Sequence, residues 1–241
     1  MPQSGIASVD KFDLEYVDSL NVLISGAAHA TQYGEPYWDI SMRTTNLTVA
    51  SGRYQQWRSF LDSLQGSKKP GYFFDPKKPY PAMYMKTKFT GLVVANTTQT
   101  FTGDAYVQSF VNRSRIVVEG LPAGFQLKRS DYVSFIKGDN ATLHRLIADV
   151  TAGATGVATI NVEPRVPTAY DGTSTVRFAY APFKGIMNGT PTDNHDIESG
   201  QIAFKARSVA VWAGGSQSIA GWILENGIWD SSGVWIDSAT W

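Results

Sequence analysis

The stretch Trp38-Asp-Ile-Ser-Met-Arg43 alternates large apolar residues with polar ones at every second position. Successive side chains of a β-strand point to opposite faces of its sheet, so this pattern predicts a strand that is buried on one face and hydrated on the other. The same alternation occurs at 12–16, 83–89 and 202–211. The sequence therefore predicts a protein that is built mainly from β-strands.

One segment departs from this alternation. Between Ser51 and Gly66, apolar residues recur at steps of three and four positions: Tyr54, Trp57, Phe60, Leu61 and Leu64. This spacing predicts an amphipathic helix, with Ser51 as its N-cap and Gly66 as its stop. The prolines that follow, from Pro70 to Pro81, exclude a second helix before the next predicted strand.

A compact set of strand candidates follows the polar stretch 95–105, and glycine-containing turns separate its members. These candidates span 115–119, 125–135, 142–149, 157–162 and 175–180. Five short strands with turns between them predict a small barrel of the OB or SH3-like kind. The strands after Glu198 resemble those of the first ninety residues, so we expect this barrel to be inserted into a domain that closes only after it.

Three units result from this organisation. Residues 1–94 and 186–212 form a predicted β-barrel or sandwich, here called the belt domain, with the helix on its flank. Residues 95–185 form the inserted small barrel. Residues 213–241 form an extended segment rich in tryptophan.

Composition excludes several classes of function. The chain has 241 residues and no cysteine, which excludes disulfides, cysteine-based zinc sites and a thiol nucleophile. Its 21 basic and 21 acidic residues give no net charge, whereas a general nucleic-acid binder would be basic. There is no apolar run of 18 residues and no basic-then-apolar start, so we expect neither a membrane span nor a signal peptide.

Charge is unevenly distributed along the chain. Residues 51–90 carry a net charge of +6, while residues 1–50 and 186–241 each carry −4. The basic stretch could bind phosphate groups with its aromatic residues stacking on bases, or it could be a solvated loop that faces an acidic patch of this molecule or of a neighbour. Its candidate interface residues are Lys68, Lys69, Lys77 and Lys78.

Tryptophan is concentrated near position 241. The hexapeptide Gly227-Ile-Trp-Asp-Ser-Ser232 is followed directly by Gly233-Val-Trp-Ile-Asp-Ser238. In one extended strand, the even spacing would place every sixth residue on the same face. Three roles stay open for this segment: a strand that covers its own core, a contact with another protein, or a platform for carbohydrate. Its candidate interface residues are Trp222, Trp229, Trp235 and Trp241.

A search for catalytic chemistry gives no positive signal. There is no nucleophile elbow, no phosphate-binding glycine loop and no dinucleotide fingerprint. One cluster could hold a divalent metal, although such residues are also common in turns: Asp193, His195, Asp196 and Glu198. A glycosidase pair of carboxylates would leave no spacing signature. We expect no enzyme activity, catalytic residue, cofactor or metal.

Two groups of motifs resemble proteins of bacteriophage tails. The first comprises Gln32-Tyr-Gly-Glu-Pro-Tyr-Trp-Asp-Ile-Ser-Met42, Arg53-Tyr-Gln-Gln-Trp-Arg-Ser-Phe-Leu-Asp-Ser-Leu-Gln-Gly66 and Phe73-Phe-Asp75. It resembles the first domain of siphophage distal tail proteins. The second comprises Leu121-Pro-Ala-Gly-Phe-Gln-Leu-Lys-Arg-Ser-Asp-Tyr-Val-Ser-Phe135, Leu143-His-Arg-Leu146 and Asp149-Val-Thr-Ala-Gly153. It is similar to the inserted barrel of minor tail proteins.

This resemblance implies a structural protein of the virion. Such proteins form a ring, usually of six copies, at the baseplate end of the tail tube, and the ring joins the tube to hub or fibre proteins. The implied partners are copies of the chain itself, the tail tube protein and hub or fibre proteins, with no membrane and no specific nucleic acid. Assembly would take place in the host cytoplasm. The alternative is a carbohydrate-binding β-module, or a sugar-active tail protein, that uses the tryptophans of residues 213–241.

Overall fold

The computed structural model describes residues 1–2, 5–22, 28–195, 199–211, 227–229 and 235–237. This part of the chain is mainly β, with a closed barrel, a separate sheet and one α-helix, which confirms the predicted fold class. None of the helices described here is long and apolar enough to cross a membrane.

The separate sheet combines strands that precede the barrel in the sequence with strands that follow it. Before the barrel come β1 (Ile6–Val22), β2 (Ala28–Thr44), β3 (Leu47–Thr48), α1 (Arg53–Ser63) and β4 (Gly71–Phe73). The barrel region comprises β5 (Asp104–Asn112), β6 (Arg115–Glu119), β7 (Gln126–Leu127), β8 (Tyr132–Lys137), β9 (Asn140–Leu146), β10 (Val150–Thr151), β11 (Ala158–Glu163) and β12 (Thr175–Arg177). After it come β13 (Phe183–Met187), β14 (Thr192–His195), β15 (Ser199–Ser208), β16 (Gly227–Trp229) and β17 (Trp235–Asp237).

The sheet has the order β1-β2-β15-β13-β4, and β3 and β14 also pair with β15. All these pairs are antiparallel. The alternation seen in the sequence matches one buried face, where Trp38, Ile40 and Met42 of β2 lie beside Phe204 and Ala206 of β15. The barrel is therefore inserted between β4 and β13, while the exact limits of the three predicted units stay predictions.

Helix α1 covers this buried face with the apolar residues that the sequence indicated. Trp57 and Leu61 are buried, and the Trp57 ring lies 5.6 Å from that of Phe204. The predicted N-cap at Ser51 is wrong, because Gly52 holds the cap position and the Ser51 hydroxyl donates instead to the Thr48 carbonyl oxygen. The helix ends at Ser63, three residues before Gly66, which has a positive φ of 67°.

The barrel closes with six strands in the order β11-β6-β5-β12-β8-β9, one more than the five predicted. Strand β6 has the predicted bounds, and the extra strand is β5, which begins inside the polar stretch 95–105. The predicted strand 125–135 is two strands, β7 and β8. Between them, Ser130 has a positive φ of 73° and the Asp131 carboxylate accepts the backbone N–H of Lys128 at 2.7 Å, so the chain turns there.

The predicted strand at 83–89 is wrong. Residues Ala82–Tyr84 form a short 3-10 helix, and turns follow. Lys88 and Phe89 have φ values of 49° and 65°, which a strand does not allow. The apolar residues Tyr84 and Phe89 do not form one face of a strand, because both pack against the core of the barrel.

The sheet and the barrel share a core. Tyr132 and Leu143 of the barrel belong to the same buried cluster as Trp38 and Phe12 of the sheet. The Trp38 indole N–H donates to the Leu143 carbonyl oxygen at 2.7 Å, and the Tyr132 ring meets the Trp38 ring edge-on. Sheet and barrel are thus packed against each other through buried aromatic residues.

Candidate self-association surface

Among the described residues, the surface with exposed apolar side chains on unpaired strand edges is the far half of the hairpin formed by β1 and β2. Each strand is 17 residues long, yet β15 pairs with β2 only at positions 39–43. Within the described residues, positions 16–22 and 28–34 pair only with each other. We call this two-stranded segment the arm, and its seven residues per strand span about 20 Å.

The arm exposes apolar side chains instead of burying them. Leu20 is 66% and Tyr33 68% exposed, and Tyr16 and Val17 are also exposed. Isolated two-stranded hairpins are marginally stable in water, and free strand edges readily accept another strand. The arm therefore has the properties of a surface that another protein covers.

The direction of the arm is set at its root. The pairing of β1 with β2 is irregular near Val17, where Tyr33 is an extra residue between the pairs Val17–Gly34 and Asp18–Gln32. Pro36, which has no N–H to donate to a ladder, lies in the same irregular region. Such irregularities bend a strand pair and aim the residues beyond them.

Two contacts with the barrel hold the arm at this root. Arg165 forms an ion pair with Glu35 at 2.5 Å, and the Tyr16 hydroxyl donates to a Glu163 carboxylate oxygen at 3.4 Å. Partial burial, followed by the negative charge of Glu163, raises the pKa of Tyr16 above its usual value. Both contacts are exposed, so we expect them to orient the arm more than they stabilise the fold.

The predicted lysines divide into two pairs. Lys68 and Lys69 are exposed in the turns after α1. Lys77 donates to the Val9 carbonyl oxygen at 2.9 Å, and the Lys78 ammonium lies 5.2 Å from the centre of the Tyr132 ring. The second pair therefore contacts its own molecule, and whether any of the four takes part in an interface stays a prediction.

The predicted tryptophans fall largely outside the described residues. Trp222 and Trp241 are not described, and only the backbone of Trp229 and Trp235 is. Strands β16 and β17 pair antiparallel with Trp229 opposite Trp235. The two residues therefore belong to two paired strands, so the same-face arrangement of one extended strand does not apply to them. The carbohydrate and protein-contact hypotheses for this segment stay predictions.

A cavity of about 330 Å³ lies between the arm root, the barrel and the segment after β15. Several of its polar lining groups are already bonded to the protein. His144 contacts the Pro164 carbonyl oxygen through Nδ1 and the Thr142 hydroxyl through Nε2, while the Ser208 hydroxyl accepts the Trp38 backbone N–H. Burial lowers the pKa of His144 to about 4, so this residue is neutral at physiological pH.

The predicted metal cluster is only partly described. Asp196 and Glu198 lie outside the described residues, as does the side chain of His195. The Asp193 carboxylate accepts hydrogen bonds from the Tyr54 hydroxyl at 2.6 Å and from Arg58 at 3.0 Å, which joins β14 to α1. Among the described residues, no group of three or more His, Asp or Glu side chains is placed to hold a metal ion.

The sequence contains one signal for the arm that periodicity does not capture. Alternation around residues 12–16 and 38–42 predicts both strands, but it assigns apolar residues to the core and so gives no reason to expect exposed ones. The signal is the absence of glycine and proline from Ile6 to Val22, which allows a strand of 17 residues, far longer than the usual five or six. Strands this long extend beyond a sheet whose other members are shorter.

Comparison with known proteins adds no identification. No protein-family model matches the chain, and no curated protein does. The class that the fold defines is therefore a mainly β protein in which a closed six-stranded barrel is inserted into an antiparallel sheet that carries the arm.

Proposed function

We propose that this chain is a structural protein of a bacteriophage tail tip, of the siphophage distal tail kind. Copies of it form a ring, six in the arrangement that the resemblance implies, and the ring joins the tail tube to hub or fibre proteins. The protein acts by binding other proteins, without catalysis or cofactor. It resides in the virion after assembly in the host cytoplasm.

The arm is the observation that carries this proposal. It presents apolar side chains and free strand edges to solvent, and a neighbouring copy would cover both. A contact between two different patches of identical molecules is head-to-tail, and such contacts generate rings when the rotation closes. Arm-mediated self-association is therefore the simplest activity that the described structure supports.

The proposal is tested by the mass of the purified protein in solution. We expect multi-angle light scattering at low salt to show an oligomer, and negative-stain electron microscopy to show rings. Burial of a large apolar side chain contributes about 1.5–3 kcal/mol. Exchanging Leu20 and Tyr33 for serine should therefore weaken self-association at least about tenfold.

The matched control is Ile147→Ser. Ile147 is also a large apolar residue that is more than half exposed, at 55%, but it lies on the barrel. This variant should keep the mass of the wild-type oligomer. A wild-type protein that stays monomeric throughout, or arm variants that associate as the wild type does, would contradict the proposal.

A further inference from the structure

We propose that the arm of one copy docks on the loop formed by residues 82–93 of the next copy. This loop, here called the Met–Lys loop, would be the second patch that a head-to-tail ring requires, so the inference rests on the proposed ring. It assigns an interaction surface to the outward side of a segment that is bound to its own barrel on the inward side, where the Ala82 backbone N–H donates to Asp131 and Val93 pairs with Thr100.

Like the arm, the Met–Lys loop has several exposed apolar residues close together in the sequence. Met83 is 50% exposed, and Met85 and Val93 are also exposed. Methionine side chains are flexible and polarisable, so they adapt to the shape of a partner. Together, the arm and this loop contain seven of the large apolar residues that the described structure leaves exposed.

The loop is held rigidly although its surface is open. The Tyr84 ring stacks on the Phe125 ring with their centres 4.6 Å apart and their planes 3° from parallel. Phe89 is buried against Phe101, and the Lys88 backbone N–H donates to the Tyr84 carbonyl oxygen at 2.8 Å. The exposed methionines are therefore attached to the barrel core, and docking on them would cost little ordering entropy.

The two surfaces have complementary charge. The Met–Lys loop contains Lys86 and Lys88 and no acidic residue. Both lysines are exposed, and neither forms an ion pair within the described part of the chain. On the arm, the Asp18 carboxylate is likewise exposed and forms no ion pair among these residues, and positions 16–22 and 28–34 contain no lysine or arginine. Opposite charges around an apolar contact favour encounter and fix its orientation.

Charge reversal tests the pairing. In a Lys86→Glu/Lys88→Glu protein, both surfaces would be acidic, and we expect self-association to weaken about tenfold or more in sedimentation velocity at low salt. Adding Asp18→Lys to the same chain should restore association, because the arm is then basic and the loop acidic. The control is Arg53→Glu/Arg115→Glu, which makes the same change of charge at exposed positions outside both the loop and the arm.

The outcomes separate this inference from the proposed function. Loss of the oligomer in the loop variant, rescue in the combined variant and no change in the control would support docking of the arm on the loop. If the loop variant stays oligomeric while the Leu20→Ser/Tyr33→Ser protein dissociates, arm-mediated self-association is supported, but the arm does not bind the Met–Lys loop. An unrescued loss would also overturn the pairing, and a monomeric wild type would overturn both proposals. Thermal unfolding of each variant confirms that it is folded.

Discussion

The indole N–H of Trp38 in β2 donates to the carbonyl oxygen of Leu143 in β9, at 2.7 Å, and both residues are buried. This bond joins the sheet to the barrel across 105 positions of the chain. The aromatic rings of Phe12 and Tyr132 pack around it. Apolar packing thus holds the sheet and the barrel together, and the hydrogen bond fixes their relative orientation.

Trp38→Phe should destabilise the protein by about 1–3 kcal/mol. Phenylalanine keeps an aromatic ring at this position, but it leaves the buried Leu143 carbonyl oxygen without its donor. Urea unfolding measures the loss. Phe12→Leu is the comparison, since it changes a neighbouring ring without removing a hydrogen bond. A Trp38→Phe protein as stable as the wild type would show that water replaces the indole donor.

Trp57→Ala should cost about 3–5 kcal/mol, because Trp57 is only 1% exposed and contacts Phe204 and Phe60. A helix of 11 residues is marginal by itself, so its stability depends on this packing. The exposed residue Gln56 on the same helix provides the control, with an expected change within about 0.5 kcal/mol. Unchanged thermal unfolding of Trp57→Ala would contradict the packing described here.

Gly156→Ala should destabilise the barrel more than Gly124→Ala does. Both glycines have positive φ, so each alanine carries a similar backbone strain of about 1–2 kcal/mol. Only at Gly156 would the new Cβ collide with the Leu121 carbonyl oxygen, whereas nothing lies within 4 Å of it at Gly124. The difference between the two unfolding free energies isolates this collision. Equal losses would show that the backbone at Leu121 moves aside.

His144 should make the fold less stable in acid. Its pKa is about 4 in the folded protein, because burial disfavours the charged form, and near 6.5 when the chain is unfolded. Between these values the unfolded chain binds more protons, so stability falls as pH decreases from about 6.5 to 4, by up to roughly 1.4 kcal/mol per pH unit. Above about pH 6.5, His144 is neutral in both the folded and the unfolded chain, so it adds no further pH dependence to the free energy of unfolding.

The comparison with His144→Gln isolates this effect from other groups. Burial raises the pKa of Asp75 and Asp131, and such carboxyl groups act in the opposite direction at low pH. The difference in unfolding free energy between wild type and variant cancels their contribution. That difference should depend on pH only below about 6.5, and NMR titration of the imidazole gives the folded pKa directly. A His144 that titrates near 6.5 in the folded protein would contradict this prediction.

Strands were predictable where one face is apolar and the other polar. In β6, buried Ile116 and Val118 alternate with exposed Arg115 and Glu119, and the predicted bounds are confirmed. Strand β5 gave no such pattern, since its outward-facing Tyr106 and Val111 are apolar although exposed. Periodicity reports the faces of a strand only when the solvent face is polar.

The candidate surface was less predictable than the fold because it depends on contacts between distant parts of the chain. Sequence shows that Lys77 and Lys78 are basic, but only the fold brings them to Val9 and Tyr132. It shows that Leu20 and Tyr33 are apolar, but their exposure follows from where β15 stops pairing with β2. Local pattern fixes the type of an element, whereas exposure depends on which strands lie beside it.

Because β4 and β13 are adjacent antiparallel strands, the chain leaves the sheet beside the place where it returns, with Phe73 paired to Phe183. In connectivity, then, the barrel is a module: a short turn could replace residues 74–182 without changing the order of the remaining strands. Its Tyr132 and Leu143 nevertheless complete the core beneath Trp38. Any domain inserted in its place would have to supply an aromatic residue to cover Trp38 and a backbone carbonyl oxygen to accept its indole N–H. The connectivity therefore allows other insertions, whereas the contacts with the sheet restrict them.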